Sequence, residues 1–246
     1  MRKTALVTGA ASGLGALAAQ RFAAAGWDVV AVDVDEDGLA RTALRSPNMH
    51  TRLCDVSDAR AVEALVAETG AVHRVVHAAA ISPLAPALEQ PLDDVERVTR
   101  VNYLGTVNVV RATLPGMLER RGGELILFSS LNAFVPVAKT SAYRAAKAAI
   151  NAYAETLRQE HAGSGVRFKV VCPRQVDTPA YRAASAADPS GTAAGMKAMP
   201  VRRVLDAIDR SLARDELYVF PDAITRATVL TGRYAPGLLR RALTRA

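Results

Sequence analysis

Short apolar runs alternate with helix-spaced segments along the chain, and this alternation limits the possible fold more than any other feature. Between the runs, apolar residues recur at helical spacing, as in residues 92–119 and 143–161. The alternation predicts an α/β fold with a doubly wound parallel sheet in three layers, the Rossmann arrangement. The runs that predict strands are 3–7, 27–32, 49–54, 72–78, 124–128 and 166–171, with a short last strand at 217–220.

Length and composition fit one domain spanning residues 1–246. The chain has 246 residues, half of them hydrophobic, which is ample for one large core. Residues 179–200 are small and irregular in composition, which is typical of a loop over a substrate site. The two cysteines, Cys54 and Cys172, fall at strand ends that lie far apart in such a fold. We therefore expect reduced thiols and a cytoplasmic location.

The net charge of +7 does not indicate nucleic-acid binding, because it is concentrated at one end. Residues 221–246 form a basic C-terminal segment with five Arg and one Asp, a net charge of +4. The remaining 220 residues carry only +3. An Arg-rich tail of this kind lacks the basic stripe that a nucleic-acid surface requires.

The C-terminal segment 235–246 has helical spacing. Pro236 suits a helix start, and leucines and alanines follow on one side with arginines on the flanks. Twelve residues are too short to cross a bilayer, but they could lie on an anionic membrane surface. A packed or frayed terminal helix explains the pattern better, so we expect only weak, salt-sensitive membrane contact.

A glycine-rich turn follows the first predicted strand. The residues TGAASGLG occupy positions 8–15, and helical spacing runs from there to Ala25. Glycines between a strand and a helix let the backbone approach a pyrophosphate, whose charge the helix N-terminus favours. The turn therefore predicts dinucleotide binding. An ordinary tight strand-to-helix turn is the alternative.

Asp33 ends the second predicted strand, twenty residues after Gly13. A carboxylate there suits the two ribose hydroxyls of NAD and repels the 2′-phosphate of NADP. No Arg or Lys occupies positions 10–12 or 34, where a cation would pair with that phosphate. Asp33 could instead cap the next helix, but Asp35 is available for capping, so we favour a role in binding NAD.

Tyr143 and Lys147 are four residues apart on a predicted helix and share one of its faces. An ammonium beside a phenol favours the phenolate, so we expect Lys147 to lower the pKa of Tyr143 from its ordinary value of about 10. A tyrosine tuned in this way exchanges protons with an alcohol or a ketone near neutral pH.

Four further side chains have simpler interpretations. Ser57 is the expected N-cap of the helix that runs to Glu68, and Asn102 could be an ordinary buried amide bonded to backbone. His73 and His77 would stand about 13 Å apart on one strand, which is too far to share a metal. No metal site is expected.

These residues, in this order and spacing, resemble the short-chain dehydrogenase/reductase family over essentially the whole chain. The likeness rests on TGAASGLG at 8–15, Asp33, CDVSD with Asp55, VNYLG around Asn102, Ser130, YRAAK at 143–147 and the turn 173–178.

The resemblance implies a role for each matched residue. Tyr143 resembles the general acid/base and Ser130 the hydroxyl that holds the substrate oxygen. Lys147 resembles the residue that lowers the tyrosine pKa and bonds the nicotinamide ribose, and Asn102 the amide that anchors a water in a proton relay. The implied cofactor-binding residues are Gly9, Ser12, Gly13, Leu14, Gly15, Asp33, Asp55, Val56, Ala79, Lys147, Pro173, Val176 and Thr178. Of these, Asp55 and Val56 resemble adenine contacts, and Val176 and Thr178 resemble contacts to the carboxamide.

Two positions depart from the family pattern. Residues 77–80 read His-Ala-Ala-Ala where the family often has Asn-Asn-Ala-Gly, and Arg174 stands where it often has Gly. Arg174 could recognise an acidic group on the substrate or could project into solvent, and the sequence does not decide between the two.

The resemblance implies an NAD-dependent oxidoreductase that interconverts a secondary alcohol and a ketone. One alternative is an NADPH-dependent 3-oxoacyl or ketone reductase, and another is a catalytically silent dinucleotide sensor or scaffold. The complete set of Asn102, Ser130, Tyr143 and Lys147 argues against silence. The expected partners are a small, possibly apolar alcohol or ketone and further copies of the chain. A homodimer or homotetramer would form through the helices at 92–119 and 143–161.

Overall fold

The order of the parallel strands places a crevice near the middle of the sheet. The chain builds outward from β1 to β3 in one direction and from β4 to β7 in the other, giving the order β3-β2-β1-β4-β5-β6-β7. All neighbouring pairs are parallel. The order reverses between β1 and β4, and ligands of doubly wound sheets bind at the carboxyl ends of strands at such a point. The predicted sheet is confirmed.

The computed structural model describes residues 2–44, 46–187 and 197–243. Within them the strands are β1 Thr4–Thr8, β2 Asp28–Asp33, β3 Met49–Leu53, β4 Arg74–His77, β5 Gly123–Phe128, β6 Val166–Val171 and β7 Tyr218–Val219. The α-helices are α1 Gly13–Ala24, α2 Glu36–Ala43, α3 Ala59–Thr69, α4 Leu92–Val98, α5 Gly105–Glu119, α6 Ser141–Glu160, α7 Pro179–Ala187, α8 Val201–Ser211, α9 Ala223–Tyr234 and α10 Pro236–Leu243.

Each face of the sheet carries its own core, which gives the predicted three layers. Successive strand residues point to opposite faces, so Leu6 and Val7 of β1 belong to different clusters. Val7 packs in the cluster that includes residues of α1, α2 and α8. Leu6 packs in the cluster that includes residues of α3, α5 and α6. Because both faces are covered, the strands are apolar throughout rather than alternating.

The long helical region predicted at 92–119 forms, but its irregularity is not where the sequence suggested. Pro115 lies inside α5 without ending it. A π-helical stretch, Thr99–Leu104, instead joins α4 to α5 and contains Asn102. Such stretches are frequent at functional sites.

Two local predictions were wrong. Asp58, not Ser57, caps α3, because its side chain accepts hydrogen bonds from the amides of Arg60 and Ala61 at 2.9 and 3.1 Å. The start of the predicted loop 179–200 is helical: Thr178 Oγ1 accepts from the Tyr181 amide at 3.2 Å and opens α7. The part of that loop at 188–196 lies outside the described residues.

Cys54 and Cys172 are free thiols. In the described ranges, no helix combines the length and apolar character that crossing a bilayer requires. The same part of the chain holds no group of His, Cys, Asp or Glu side chains arranged for a metal ion.

Candidate active site

The glycine turn after β1 is built so closely that side chains would not fit in it. Gly9 has φ 70°, and a Cβ atom there would lie 2.7 Å from the Ala79 nitrogen at the end of β4. A Cβ on Gly15 would lie 2.1 Å from the Gly9 carbonyl oxygen. The turn therefore keeps the end of β1, the end of β4 and the start of α1 within van der Waals contact at the crevice.

The N-terminus of α1 faces this turn without a side-chain cap. Ser12 is the N-cap residue, has extended backbone and makes no capping hydrogen bond, and the first turn of α1 carries no acidic residue. The first amides of a helix favour an anionic partner when no side chain occupies them. A pyrophosphate fits this arrangement, with Gly13 and Leu14 opening the helix beside it.

Asp33 joins the end of β2 to the glycine turn. Its Oδ2 accepts from the Ala11 amide at 2.9 Å, and its Oδ1 accepts from the Val34 and Asp35 amides at 2.7 and 3.2 Å. Asp35 caps α2 through the Gly38 amide at 3.0 Å. Asp33 is therefore not the helix cap, and its half-buried carboxylate stands at the corner where an adenosine ribose would lie.

The next pair of predicted cofactor residues follows β3. Asp55 is exposed and its Oδ1 accepts from the Ser57 amide at 2.8 Å. Val56 is buried, and Asn108 of α5 donates to its carbonyl at 2.9 Å. These bonds fix the loop after β3 at the same edge of the sheet as Asp33.

Ser130, Tyr143 and Lys147 converge where β5 meets α6. Ser130 lies just beyond β5 and hydrogen-bonds Tyr143, which is in the first turn of α6. Lys147 lies one turn later, with Nζ 5.5 Å from the centroid of the Tyr143 ring. Lys147 is 2% exposed, and its Nζ donates to the Phe128 carbonyl at 2.7 Å. Ser129 Oγ donates to the Lys147 carbonyl at 3.1 Å, which docks α6 on the end of β5.

The expected effect of Lys147 on the pKa of Tyr143 is not what the structure shows. Burial raises the pKa of Tyr143 above its ordinary value, and the hydrogen bond with Ser130 only partly offsets this. Burial also lowers the pKa of Lys147 to about 8. The Lys147 ammonium donates to the Phe128 carbonyl, and desolvation of the phenol is the largest influence on the pKa of Tyr143.

Asn102 is fully buried, and its side chain is committed to backbone. Oδ1 accepts from the Ile81 amide at 2.8 Å, and Nδ2 donates to the Ile81 carbonyl at 2.9 Å. The Asn102 carbonyl accepts from Thr106 Oγ1 at 2.6 Å. The side chain thus holds the segment after β4 against the π-helical stretch. The water-anchoring role that the resemblance implies stays a prediction.

The turn after β6 brings the remaining predicted residues to the same edge. Pro173 accepts from the Leu131 amide at 2.9 Å, which places it beside Ser130. Val176 is buried and pairs with Met199 in an isolated β-bridge. Thr178 lies over the glycine turn, since its Cγ2 would be 3.1 Å from a Cβ on Gly13.

Both departures from the family pattern have structural roles that the sequence did not reveal. His77 is buried, and its Nδ1 hydrogen-bonds Thr8 Oγ1 at 2.7 Å, which links the ends of β4 and β1. Burial, with the positive charge of Lys147, lowers its pKa to about 3, so the imidazole is neutral. Arg174 meets neither expectation, because it forms a largely buried ion pair with Asp222. In the sequence, the only signal at either position is its difference from the family pattern.

Comparisons with known proteins show the family of this chain. The family model for short chain dehydrogenase matches residues 3–189. A 1-deoxy-11-beta-hydroxypentalenate dehydrogenase from Streptomyces exfoliatus is 37% identical over 235 residues, covering 91% of this chain and 84% of that protein.

Solved structures share the fold. A short chain dehydrogenase/reductase from Burkholderia phymatum in complex with NAD has a TM-score of 0.84 at 24% identity, covering 96% of this chain and 95% of that one. A short chain dehydrogenase from Burkholderia cenocepacia in complex with NADP has a TM-score of 0.84 at 24% identity, covering 98% and 97%. With the family model matched over residues 3–189, the chain belongs to the short-chain dehydrogenase/reductase family and is an oxidoreductase of that type.

Proposed function

We propose that this protein is an NAD-dependent dehydrogenase that interconverts a secondary alcohol and a ketone, with Tyr143 as general acid/base. The observation that carries the proposal is the convergence of Ser130, Tyr143 and Lys147 beside the glycine turn, where β5 and α6 meet. A dinucleotide held by that turn would extend along the sheet edge toward these three side chains.

The proposed chemistry divides between cofactor and protein. The nicotinamide supplies hydride transfer. Tyr143 exchanges the proton of the substrate oxygen, and the Ser130 hydroxyl holds that oxygen in place. Lys147 bonds the nicotinamide ribose, a role open to it because an ammonium has three donors and the bond to the Phe128 carbonyl uses one of them.

The glycine turn and its neighbours fit the proposed cofactor. The uncapped start of α1 suits the pyrophosphate, the Asp33 carboxylate suits the ribose hydroxyls, and the loop at Asp55 and Val56 lies where the adenine would rest. We propose NAD rather than NADP because a carboxylate at that corner repels a 2′-phosphate.

For the substrate we propose an apolar secondary alcohol or its ketone. The Streptomyces relative is named for a hydroxypentalenate, and the half-buried aromatic side chain of Tyr181 follows the turn 173–178 in α7. In this proposal, Thr178 and Val176 contact the nicotinamide carboxamide.

We further propose a homodimer or homotetramer assembled through α4, α5 and α6. Small side chains stand exposed along α6, among them Ala145, Ala148 and Ala152, and they allow close helix packing. Light scattering on the purified protein would measure its mass in solution. A cytoplasmic location stays a prediction, and fractionation of the source cells would test it.

The experiment that tests the proposed function has two readouts. NADH fluorescence on titration with protein measures cofactor binding, and absorbance of the reduced nicotinamide measures turnover on a panel of hydroxy compounds with NAD and NADP in parallel. Binding with turnover of a secondary alcohol is the expected result. Binding without any turnover would indicate a silent dinucleotide sensor, and faster turnover with NADPH on ketones would indicate a reductase.

A further inference from the structure

Arg174 and Asp222 form a largely buried ion pair at the edge of the proposed site. Arg174 Nε lies 3.1 Å from Asp222 Oδ2, and the two side chains are 9% and 11% exposed. The Arg174 guanidinium also donates through Nη1 to the Lys197 carbonyl. An arginine is suited to this task because its planar fork can engage a carboxylate and a carbonyl together.

Each partner of Arg174 belongs to a different segment of the chain. Arg174 itself is in the turn 173–178, which carries the proposed nicotinamide contacts. Asp222 is the N-cap of α9, and its Oδ1 accepts from the Thr225 amide at 2.8 Å and from Thr225 Oγ1 at 2.6 Å. Lys197 is in the segment 197–200, which leads into α8. One guanidinium therefore connects the turn 173–178 to the segment 197–200 and to the start of α9.

The segment 197–200 is also paired directly with the turn. The Met199 amide donates to the Gln175 carbonyl and the Asp177 amide donates to the Met199 carbonyl, both at 2.8 Å. Met199 is 1% exposed and packs in the core on the α8 side of the sheet. A shift of segment 197–200 would therefore move the backbone on both sides of Val176.

We propose that Arg174 is a positioning residue that fixes the substrate side of the active site by clasping segment 197–200 and the start of α9 to the turn 173–178. Arg174 does not bind the substrate itself in this role. The kinetic part of the proposal rests on the proposed dehydrogenase function, whereas the structural part is independent of it.

Four variants test the clasp. Arg174→Met keeps the apolar stem and removes the fork. Arg174→Lys keeps the positive charge but replaces the planar guanidinium with a compact ammonium group. Asp222→Asn breaks the ion pair while preserving the cap on α9, since Asn caps helices as well as Asp. Arg182→Gln is the matched control, because it removes an exposed ion pair with Asp177, 2.6 Å long, from the neighbouring α7.

The kinetic outcome separates positioning from substrate binding. We expect Arg174→Met and Asp222→Asn each to raise the KM for the alcohol by about tenfold, with kcat and the Kd for NADH changed by less than about threefold. Arg174→Lys should recover part of the loss. A double variant that combines Arg174→Met with Asp222→Asn should have a KM no higher than that of the worse single variant. If Arg174 instead bound an acidic substrate group, Asp222→Asn would free it and lower the KM. That result, or a KM change no larger than in Arg182→Gln, would overturn the proposal.

Amide hydrogen exchange gives a readout that needs no turnover. We expect faster exchange at Asp177, Met199 and Thr225 in Arg174→Met, and unchanged exchange at Met199 and Thr225 in Arg182→Gln. Unchanged exchange at all three amides in Arg174→Met would refute the clasp even if the enzyme were active. Faster exchange in a protein that reduces no NAD would uphold the clasp and refute the proposed function.

Discussion

Replacement of Asp33 should weaken the preference of the enzyme for NAD over NADP, and the structure allows the size of the effect to be worked out. The Asp33 carboxylate accepts three backbone hydrogen bonds at 2.7–3.2 Å from Ala11, Val34 and Asp35, so it is held in place at the end of β2. NADP would bring a phosphate close to it. At an effective dielectric near 20, one like-charge contact at about 4 Å costs about 4 kcal/mol before screening.

Solvent and rearrangement reduce that cost, because Asp33 is half-buried rather than fully enclosed. About a third of it, roughly 1.4 kcal/mol, corresponds to a factor of about ten in kcat/KM. We therefore expect wild type to prefer NAD over NADP by at least about tenfold. Asp33→Ala should weaken the use of NAD and narrow the ratio, without making NADP an efficient cofactor.

The assay is kcat/KM for both cofactors at a fixed alcohol concentration, in wild type, Asp33→Ala and Asp37→Asn. Asp37 is an exposed carboxylate in the first turn of α2, so Asp37→Asn removes a nearby charge without touching the bonds of Asp33. Thermal unfolding of each variant controls for loss of the bond between Asp33 and the Ala11 amide. An identical cofactor ratio in wild type and Asp33→Ala would refute the reasoning.

Three further predictions follow from the site and the C-terminal helices. Burial raises the pKa of Tyr143, so the fraction of Tyr143 present as phenolate is small at pH 7 and increases with pH. We therefore expect kcat/KM for alcohol oxidation to rise from pH 7 to 9, and a flat pH profile would contradict this. Gly15→Ala should abolish NADH binding in titrations and lower the unfolding free energy by about 1–3 kcal/mol in denaturation experiments. Gly237→Ala should do neither, because a Cβ at that position meets nothing within 4 Å. Ile224, Leu230 and Tyr234 are exposed on α9, yet we expect the protein to bind anionic vesicles only weakly and to be released by high salt. Sedimentation of the protein with vesicles in high salt would contradict this.

The fold could be predicted because its signals are local and repeated. Seven strands were expected from short apolar runs, and each forms within a few residues of the expected bounds. Helix starts were harder, because neighbouring polar residues compete for the cap. Ser57 and Asp58 are adjacent, and only the backbone path decides that the Asp58 carboxylate reaches the free amides. The helix at α7 was missed because its alanine-rich sequence lacks a clear apolar stripe.

Properties that depend on burial could not be predicted from the sequence. The spacing of Tyr143 and Lys147 placed both on α6, but it gave no information about desolvation, which raises one pKa and lowers the other. Arg174 is a similar case. Its partner Asp222 is 48 residues away in the sequence, and no local pattern connects the two.

Tyr143→Phe tests the central claim most directly, because it removes one hydroxyl from the proposed acid/base and leaves the ring in place. Tyr153→Phe is the matched control, since Tyr153 lies on the same helix with its ring packed against Tyr103. With NADH affinity measured by fluorescence and kcat at saturating alcohol, we expect Tyr143→Phe to bind NADH like wild type while kcat falls by a factor of about 100 or more. Tyr153→Phe should retain both. Retention of more than about a tenth of wild-type kcat in Tyr143→Phe would contradict the assignment of Tyr143 as the proton carrier.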